Sequence, residues 1–155
     1  MYAIQCYVVY VYVGNIMQYW LVKSEPETWS WTQQVNTGEK GEPWTGVRNY
    51  QASNYMKQMQ LGDRCFFYHS VTEKSVVGIV EVCETYQPDP TDETGKFGMV
   101  VVKAIQPLPR PVSLEMIKSD PALNNMPLIR QSRLSVMPIS KIEWDIILAT
   151  SMAQG

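Results

Sequence analysis

Residues 64–86 read RCFFYHSVTEKSVVGIVEVCETY, two runs of aromatic and β-branched residues divided by the polar triplet Thr72-Glu73-Lys74. Arg64 to Ser70 and Val76 to Tyr86 have the composition of paired strands and the triplet that of a connecting loop, so the stretch predicts a β-hairpin. Outward from it, Tyr19 to Lys23, Phe97 to Ile105 and Leu134 to Ile139 read as further strands, the second stopped by the proline-rich QPLPRP of residues 106–111. Between them lie helix signals. Ser24 followed by Glu25-Pro26-Glu27 predicts a capped helix to about Val35. Trp44 to Tyr50 leads into a second short helix ending near Met59, Ser113 to Lys118 forms a third, and Ser140, three residues before Glu143, caps a last one to Leu148. About five strands in hairpin-like succession with short helices between them predict an α+β fold, a small, mostly antiparallel β-barrel with flanking helices.

The chain has 155 residues, 45% of them hydrophobic and 18% charged, which suits one domain with a single core. Thirteen basic against fifteen acidic residues give a formal charge of -2. An anionic partner must therefore meet a local basic patch rather than a basic protein. Cys6, Cys65 and Cys83 are odd in number and lack CxxC spacing; Cys65 and Cys83 lie in apolar strand-like runs, as small buried hydrophobes do. These features point to a reducing, cytoplasmic location. Tyr7 to Val13, the longest apolar run, is too short to cross a bilayer and has no basic residue before it, so neither a membrane span nor a signal peptide is expected.

Residues 1–16, MYAIQCYVVYVYVGNI, are uncharged and tyrosine-rich, and the pattern changes abruptly at Met17. They read as an N-terminal extension, from a start assigned too far upstream or as an extra edge strand. The main domain is expected over 17–150, with 151–155 as a C-terminal tail.

Residue chemistry excludes several functions. His69 is the sole histidine and lies in a strand run with no nucleophile elbow, so it reads as a strand histidine making one hydrogen bond. No metal site is expected from one histidine and scattered cysteines, and no cofactor is implied because glycine-rich phosphate loops are absent. Glu25 and Glu27 are explained by the dipole of the helix they are expected to open.

Three clusters remain. Lys23-Ser24-Glu25-Pro26 with Trp29 and Trp31 belongs to MQYWLVKSEPETWSW, Met17 to Trp31, which holds three of the chain's five tryptophans. The second is Trp44-Thr45-Gly46-Val47-Arg48-Asn49-Tyr50 and the third Arg130-Gln131-Ser132-Arg133-Leu134-Ser135. Basic side chains suit phosphate oxygens, amides suit base edges, and aromatic faces stack on bases. Trp20 and Trp144 read as core, whereas Trp44, in a loop beside Gly46 and Arg48, reads as available to a ligand.

YWLVKSEP at Tyr19 to Pro26, GVRNYQA at Gly46 to Ala52, GDRCFFYHS from Gly62 to Ser70, VGIVEV at Val77 to Val82 and RQSRLSV at Arg130 to Val136 together resemble the EVE domain family, a PUA-like group related to YTH and ASCH domains. The resemblance spans Met17 to Leu148. Two departures are visible: Ala52-Ser53-Asn54 stands where many relatives have Ala-Arg-Asn, and Phe97-Gly98 where a tryptophan is expected. The resemblance implies a PUA-like barrel and a non-catalytic module that reads a modified base, a modified cytosine or a methylated adenine, in DNA or RNA through an aromatic-walled pocket. Carried onto this sequence, Lys23 and Ser24 would line one side, Trp44 would be a wall and Trp29 would add to it. Arg48 and Asn49 would supply donors, Tyr68 and Ser70 would come from the hairpin, and Arg130, Ser132 and Arg133 would engage base or phosphate. A hydrolase of modified nucleosides, as in ASCH relatives, and a small-molecule or protein-interaction domain are the alternatives.

Overall fold

The computed structural model describes residues 16–153; the expected N-terminal extension lies outside the described residues apart from Ile16. Six strands form one sheet: β1 Tyr19–Ser24, β2 Glu42–Pro43, β3 Arg64–His69, β4 Ser75–Pro88, β5 Gly98–Ser113 and β6 Val136–Ile139, in the order β2-β5-β4-β3-β1-β6. The expected β3–β4 hairpin is present, paired antiparallel from Arg64 opposite Glu81 to His69 opposite Ser75. β1 runs parallel to β3, with Lys23 opposite Tyr68 and Ser24 opposite His69, and antiparallel to β6. A parallel pair needs a long crossover, and residues 25–63 supply it with α1 (Trp31–Asn36), β2 and α2 (Tyr50–Gln58). The α+β class is as expected, but among the described residues the hydrogen-bonded ladder is open rather than a closed barrel, with β2 and β6 at its two edges.

The proline run does not end β5. The register jumps from Gly78 opposite Pro107 to Val76 opposite Val112, so Leu108 to Pro111 bulge out across from Val77. A bulge tolerates prolines because its residues need not donate to the ladder.

The first helix also starts later than expected. Ser24 is the last residue of β1, and its hydroxyl donates to the Trp29 carbonyl. Residues 25–28 form a turn closed by Thr28 and Trp29 N–H groups on the Glu25 carbonyl. Ser30 is the cap of α1, in a capping box with Gln33, so Glu25 and Glu27 are not in a helical first turn. Asn49 caps α2 by accepting from Ala52 N–H at 2.9 Å. Ser113 and Ser140 cap α3 (Leu114–Ser119) and α5 (Lys141–Met152) as expected; α4 (Pro127–Arg130) is a single turn before β6, and α5 continues past Leu148 with Ser151 buried.

β3 is the centre of the core, with Cys65 to His69 all buried. Trp144 stacks on Phe66 with ring centroids 3.8 Å apart, and Trp31 meets the edge of Phe67 at 5.4 Å. Burial of each such side chain contributes about 1.5–3 kcal/mol. Trp20 is core, as expected, and its indole N–H donates at 3.0 Å to buried Asp63, which also accepts from the Gln18 and Gln60 N–H groups. Cys65 is fully buried, whereas Cys83 is only half-buried, its thiol against the Val101 carbonyl. No helix among the described residues is long and apolar enough to cross a membrane.

Candidate nucleic-acid interface

Where β1 ends and the crossover leaves the sheet, a cavity of about 540 Å³ opens. β1 contributes Lys23 and Ser24 and the following turn Glu25, Thr28 and Trp29. The strand and loop of residues 42–49 contribute Glu42, Trp44, Arg48 and Asn49, and Ser135 closes the far side. Six of the expected site residues thus meet in one concavity. A second cavity of about 340 Å³ lies next to it, lined by Asn49, Gln51 and residues 130–134; Arg130, Ser132 and Arg133 belong here, and Asn49 is shared by both.

Lys23 is fixed across the junction. Its backbone N–H donates to the Ser135 carbonyl at 2.9 Å and its ammonium to the Ser132 carbonyl at 2.8 Å. Burial lowers its pKa below the ordinary lysine value. Opposite in sign, Glu42 on β2 has its carboxyl raised by burial, against a smaller pull from Lys40.

Trp44 corrects an expectation. It is a cavity wall and also core, 8% exposed, with its indole edge-on to Phe67 at 5.8 Å and its backbone N–H on the Val100 carbonyl at 2.8 Å. Trp29 is half-buried, held by its indole N–H on Gln34, whose amide donates to the Val102 carbonyl inside the core.

Arg48, expected to supply a donor, lines the cavity and is also engaged within the protein. Its guanidinium donates to Asp89 at 2.9 Å and to the Thr91 hydroxyl at 2.9 Å, and lies 5.8 Å from the centre of the Phe97 ring. Asp89 also accepts the Gly46 N–H. Burial pushes the Asp89 carboxyl up, but hydrogen bonds from the Thr91 hydroxyl, Gly46, Arg48 and the Thr91 N–H outweigh it and hold the group well below the usual carboxylate range. Gly46 has φ +84°, a conformation that suits glycine. Asp89 therefore pins the pocket loop to the β4–β5 connection. Its only sequence signal was the Pro88-Asp89-Pro90 turn, which gave no hint of a partner 41 residues away.

Tyr68 and Ser70 line neither cavity. Tyr68 is buried, burial pushes its phenol up to about 12, and Lys23 sits 6.0 Å from its ring. Ser70 gives its backbone N–H to the Ser24 carbonyl and so splices the hairpin to the end of β1. Asn49 keeps its place, but its carbonyl oxygen is used in capping α2, which leaves its amide nitrogen for a ligand. Arg130 and Arg133 are exposed and make no ion pair among the described residues, although the Arg130 Nε donates to the Asn124 carbonyl. Leu134 is buried and Arg133 exposed. His69 makes two hydrogen bonds rather than one: Nε2 accepts from Trp31 N–H and Nδ1 lies 2.7 Å from Glu73. Ser53, at the position where the resemblance implies an arginine, is buried against the Tyr86 hydroxyl at 3.0 Å and lines neither cavity.

Known proteins with this architecture include a protein of Agrobacterium tumefaciens, Atu2648, whose crystal structure has 47% sequence identity and a TM-score of 0.84 over 87% of this chain and 93% of that one. A crystal structure of human THYN1 protein in complex with 5-methylcytosine containing DNA superposes with a TM-score of 0.84 at 29% identity, covering 89% of this chain and 99% of that one. Thymocyte nuclear protein 1 of Rattus norvegicus is 31% identical over 90% of this chain and 76% of its own length. The EVE domain family model matches residues 18–150, and the chain belongs to the EVE domain family.

Proposed function

We propose that this domain binds DNA carrying a modified cytosine, taking the extruded base into the cavity beside Trp44 while Arg130 and Arg133 hold the flanking phosphates. The observation that carries this reading is the division of labour between the two cavities. The larger has aromatic walls with Glu25 and Glu42 among its lining, which disfavours a phosphate but suits a neutral base with an exocyclic amino group. The smaller is edged by Arg130 and Arg133, neither of which is ion-paired among the described residues. The volume of the larger cavity lies within the roughly 300–1,000 Å³ of ligand pockets, and extrusion from the duplex is how proteins that enclose a single base in a pocket reach it. The related human protein bound to DNA containing 5-methylcytosine supports the choice of DNA and of cytosine.

In this arrangement Glu42 accepts from the amino group of the base, the Asn49 amide and Lys23 sit at the rim, and Trp44 and Trp29 form the apolar walls. In this reading binding proceeds without turnover, and His69 takes no part in it: it lines neither cavity and both of its ring nitrogens have partners. Titration of matched duplexes with and without 5-methylcytosine, alongside an RNA of the same sequence, tests the proposal. Tighter binding of the modified duplex with its nucleosides recovered intact is the expected result. Equal affinity for both duplexes, preference for the RNA, or a changed nucleoside would overturn it.

A further inference from the structure

Beside the two cavities stands a pair of aromatic rings that neither uses. Tyr50, the first residue of α2, is 60% exposed, and its ring packs on Phe97 with centroids 4.9 Å apart and planes inclined at 35°. Phe97 is itself anchored: its N–H donates to Asp92, its carbonyl accepts from Asp89 N–H, and Arg48 lies over its face. Tyr50 follows Asn49, which lines both cavities, and precedes Gln51, which lines the second. An exposed aromatic ring on a rigid support, next to a guanidinium and between a base-sized cavity and an arginine-edged one, has the elements of a stacking platform.

We infer that Tyr50, braced by Phe97, stacks on an unstacked nucleobase next to the one held in the cavity. The inference rests on the function proposed above, and it adds a second contact. Removing one base from a duplex uncovers a face of each flanking nucleotide on the same strand, and it leaves the orphaned partner on the other strand unpaired, so that this base also offers a flat π surface once it leaves its own stack. Tyrosine covers such a surface at low entropic cost because only two side-chain torsions are ordered, and Phe97 already restrains this ring. Arg48, over the face of Phe97, and Arg130 and Arg133, which line the second cavity with Gln51, complement the phosphates that accompany either base. Phe97, the residue that stands where a tryptophan is expected, thus has a role as the brace.

The test is a double-mutant cycle between Tyr50→Ala and an abasic site placed in a 5-methylcytosine duplex, at each flanking position in turn and opposite the modified base. Tyr50→Phe serves as the conservative control, and thermal melting verifies that each variant is folded. Tyr50→Ala should weaken binding by about 5- to 100-fold, and Tyr50→Phe should restore it. The loss should vanish when the abasic site removes the base on which Tyr50 stacks, which also identifies that base as flanking or orphaned. A merely structural role for Tyr50 would leave the loss the same on every duplex. Coupling within twofold at all positions, or full affinity in Tyr50→Ala, overturns the inference. Wild-type protein that binds modified and unmodified duplexes equally strikes the modified-base reading alone, since the cycle is then read on either duplex. Failure to bind any DNA removes both.

Discussion

Arg48 Nη1 lies 2.9 Å from Asp89 Oδ2, and the Asp89 side chain is fully buried while that of Arg48 remains 39% exposed. The carboxylate is thus the fixed member, and it orders the loop that carries Trp44 and Asn49. Asp89→Asn should destabilise the domain by about 2 kcal/mol at pH 7, since hydrogen bonds to charged groups are worth about 1.5–3 kcal/mol. The folded pKa lies below the unfolded one, so this stabilisation is present above the unfolded aspartate value and is lost as pH falls from about 4 through the folded value. Urea titrations of wild type and variant at pH 7 and pH 3 should show their gap narrowing at the lower pH. A constant gap would remove the charge from the explanation.

Trp44 carries both fold and pocket, and three substitutions separate these. Trp44→Ala should cost about 3–5 kcal/mol of stability, as large-to-small changes of buried aromatic residues do. Trp44→Phe keeps an apolar ring against Phe67 and should stay folded at room temperature, losing only part of the about 1–3 kcal/mol that a base stacked on an aromatic ring is worth, whereas Trp44→Leu, which has no ring, should lose all of it. Chemical denaturation and duplex titration of the three variants decide the matter. A folded Trp44→Leu protein with undiminished affinity would take the base out of contact with this wall.

Arg133 has no ion pair among the described residues, and Arg130 is held only through Nε, so both guanidinium forks are open to phosphate. Arg133→Ala should weaken binding to modified and unmodified duplexes alike and reduce the salt slope by roughly one unit. If Arg130→Ala instead erases the preference for the modified base without changing the slope, that side chain reads a base edge. Titrations at several salt concentrations distinguish the two outcomes.

Local chemistry was legible where neighbours in sequence are neighbours in space. The β3–β4 hairpin, the α2 segment and the serine caps of α3 and α5 follow from composition and from spacings of three or four residues. Partnerships across the fold were not. Ser24 and Ser30 are equally good cap residues in sequence, and only the pairing of Ser24 with His69 in the sheet assigns the cap to Ser30. Prolines 107, 109 and 111 argue for a strand end unless a bulge takes them up. Lys23, Ser24, Trp29, Trp44, Arg48 and Asn49 come together around the main cavity because the crossover gathers them. Tyr68 points into the core, a choice of face that a short apolar run does not reveal, and Asp89 and Glu42 were missed because their partners lie far away or their importance comes from burial.

Gly78 on β4 is needed for a steric reason. A Cβ there would lie 2.5 Å from the Trp31 ring, which is itself wedged edge-on against Phe67. Gly78→Ala should cost about 1–3 kcal/mol through overpacking and should alter the near-ultraviolet circular dichroism of the displaced indole. Wild-type stability would show that α1 gives way without cost.

The twofold anchoring of Lys23 by the Ser132 and Ser135 carbonyls governs the order in which the molecule can mature. The ammonium contact joins residues 109 positions apart, and β1 has β6 as its second neighbour in the sheet. Contacts of such separation close late, since the loop entropy must be met before they form. On the ribosome, at roughly 5–20 residues per second, a chain not yet extended to Ser135 has its hairpin and crossover but lacks the far wall of the cavity and the groups that hold Lys23. The site is completed by nearly the last strand to be made, so a nascent or C-terminally truncated chain carries the aromatic walls without a finished receptor.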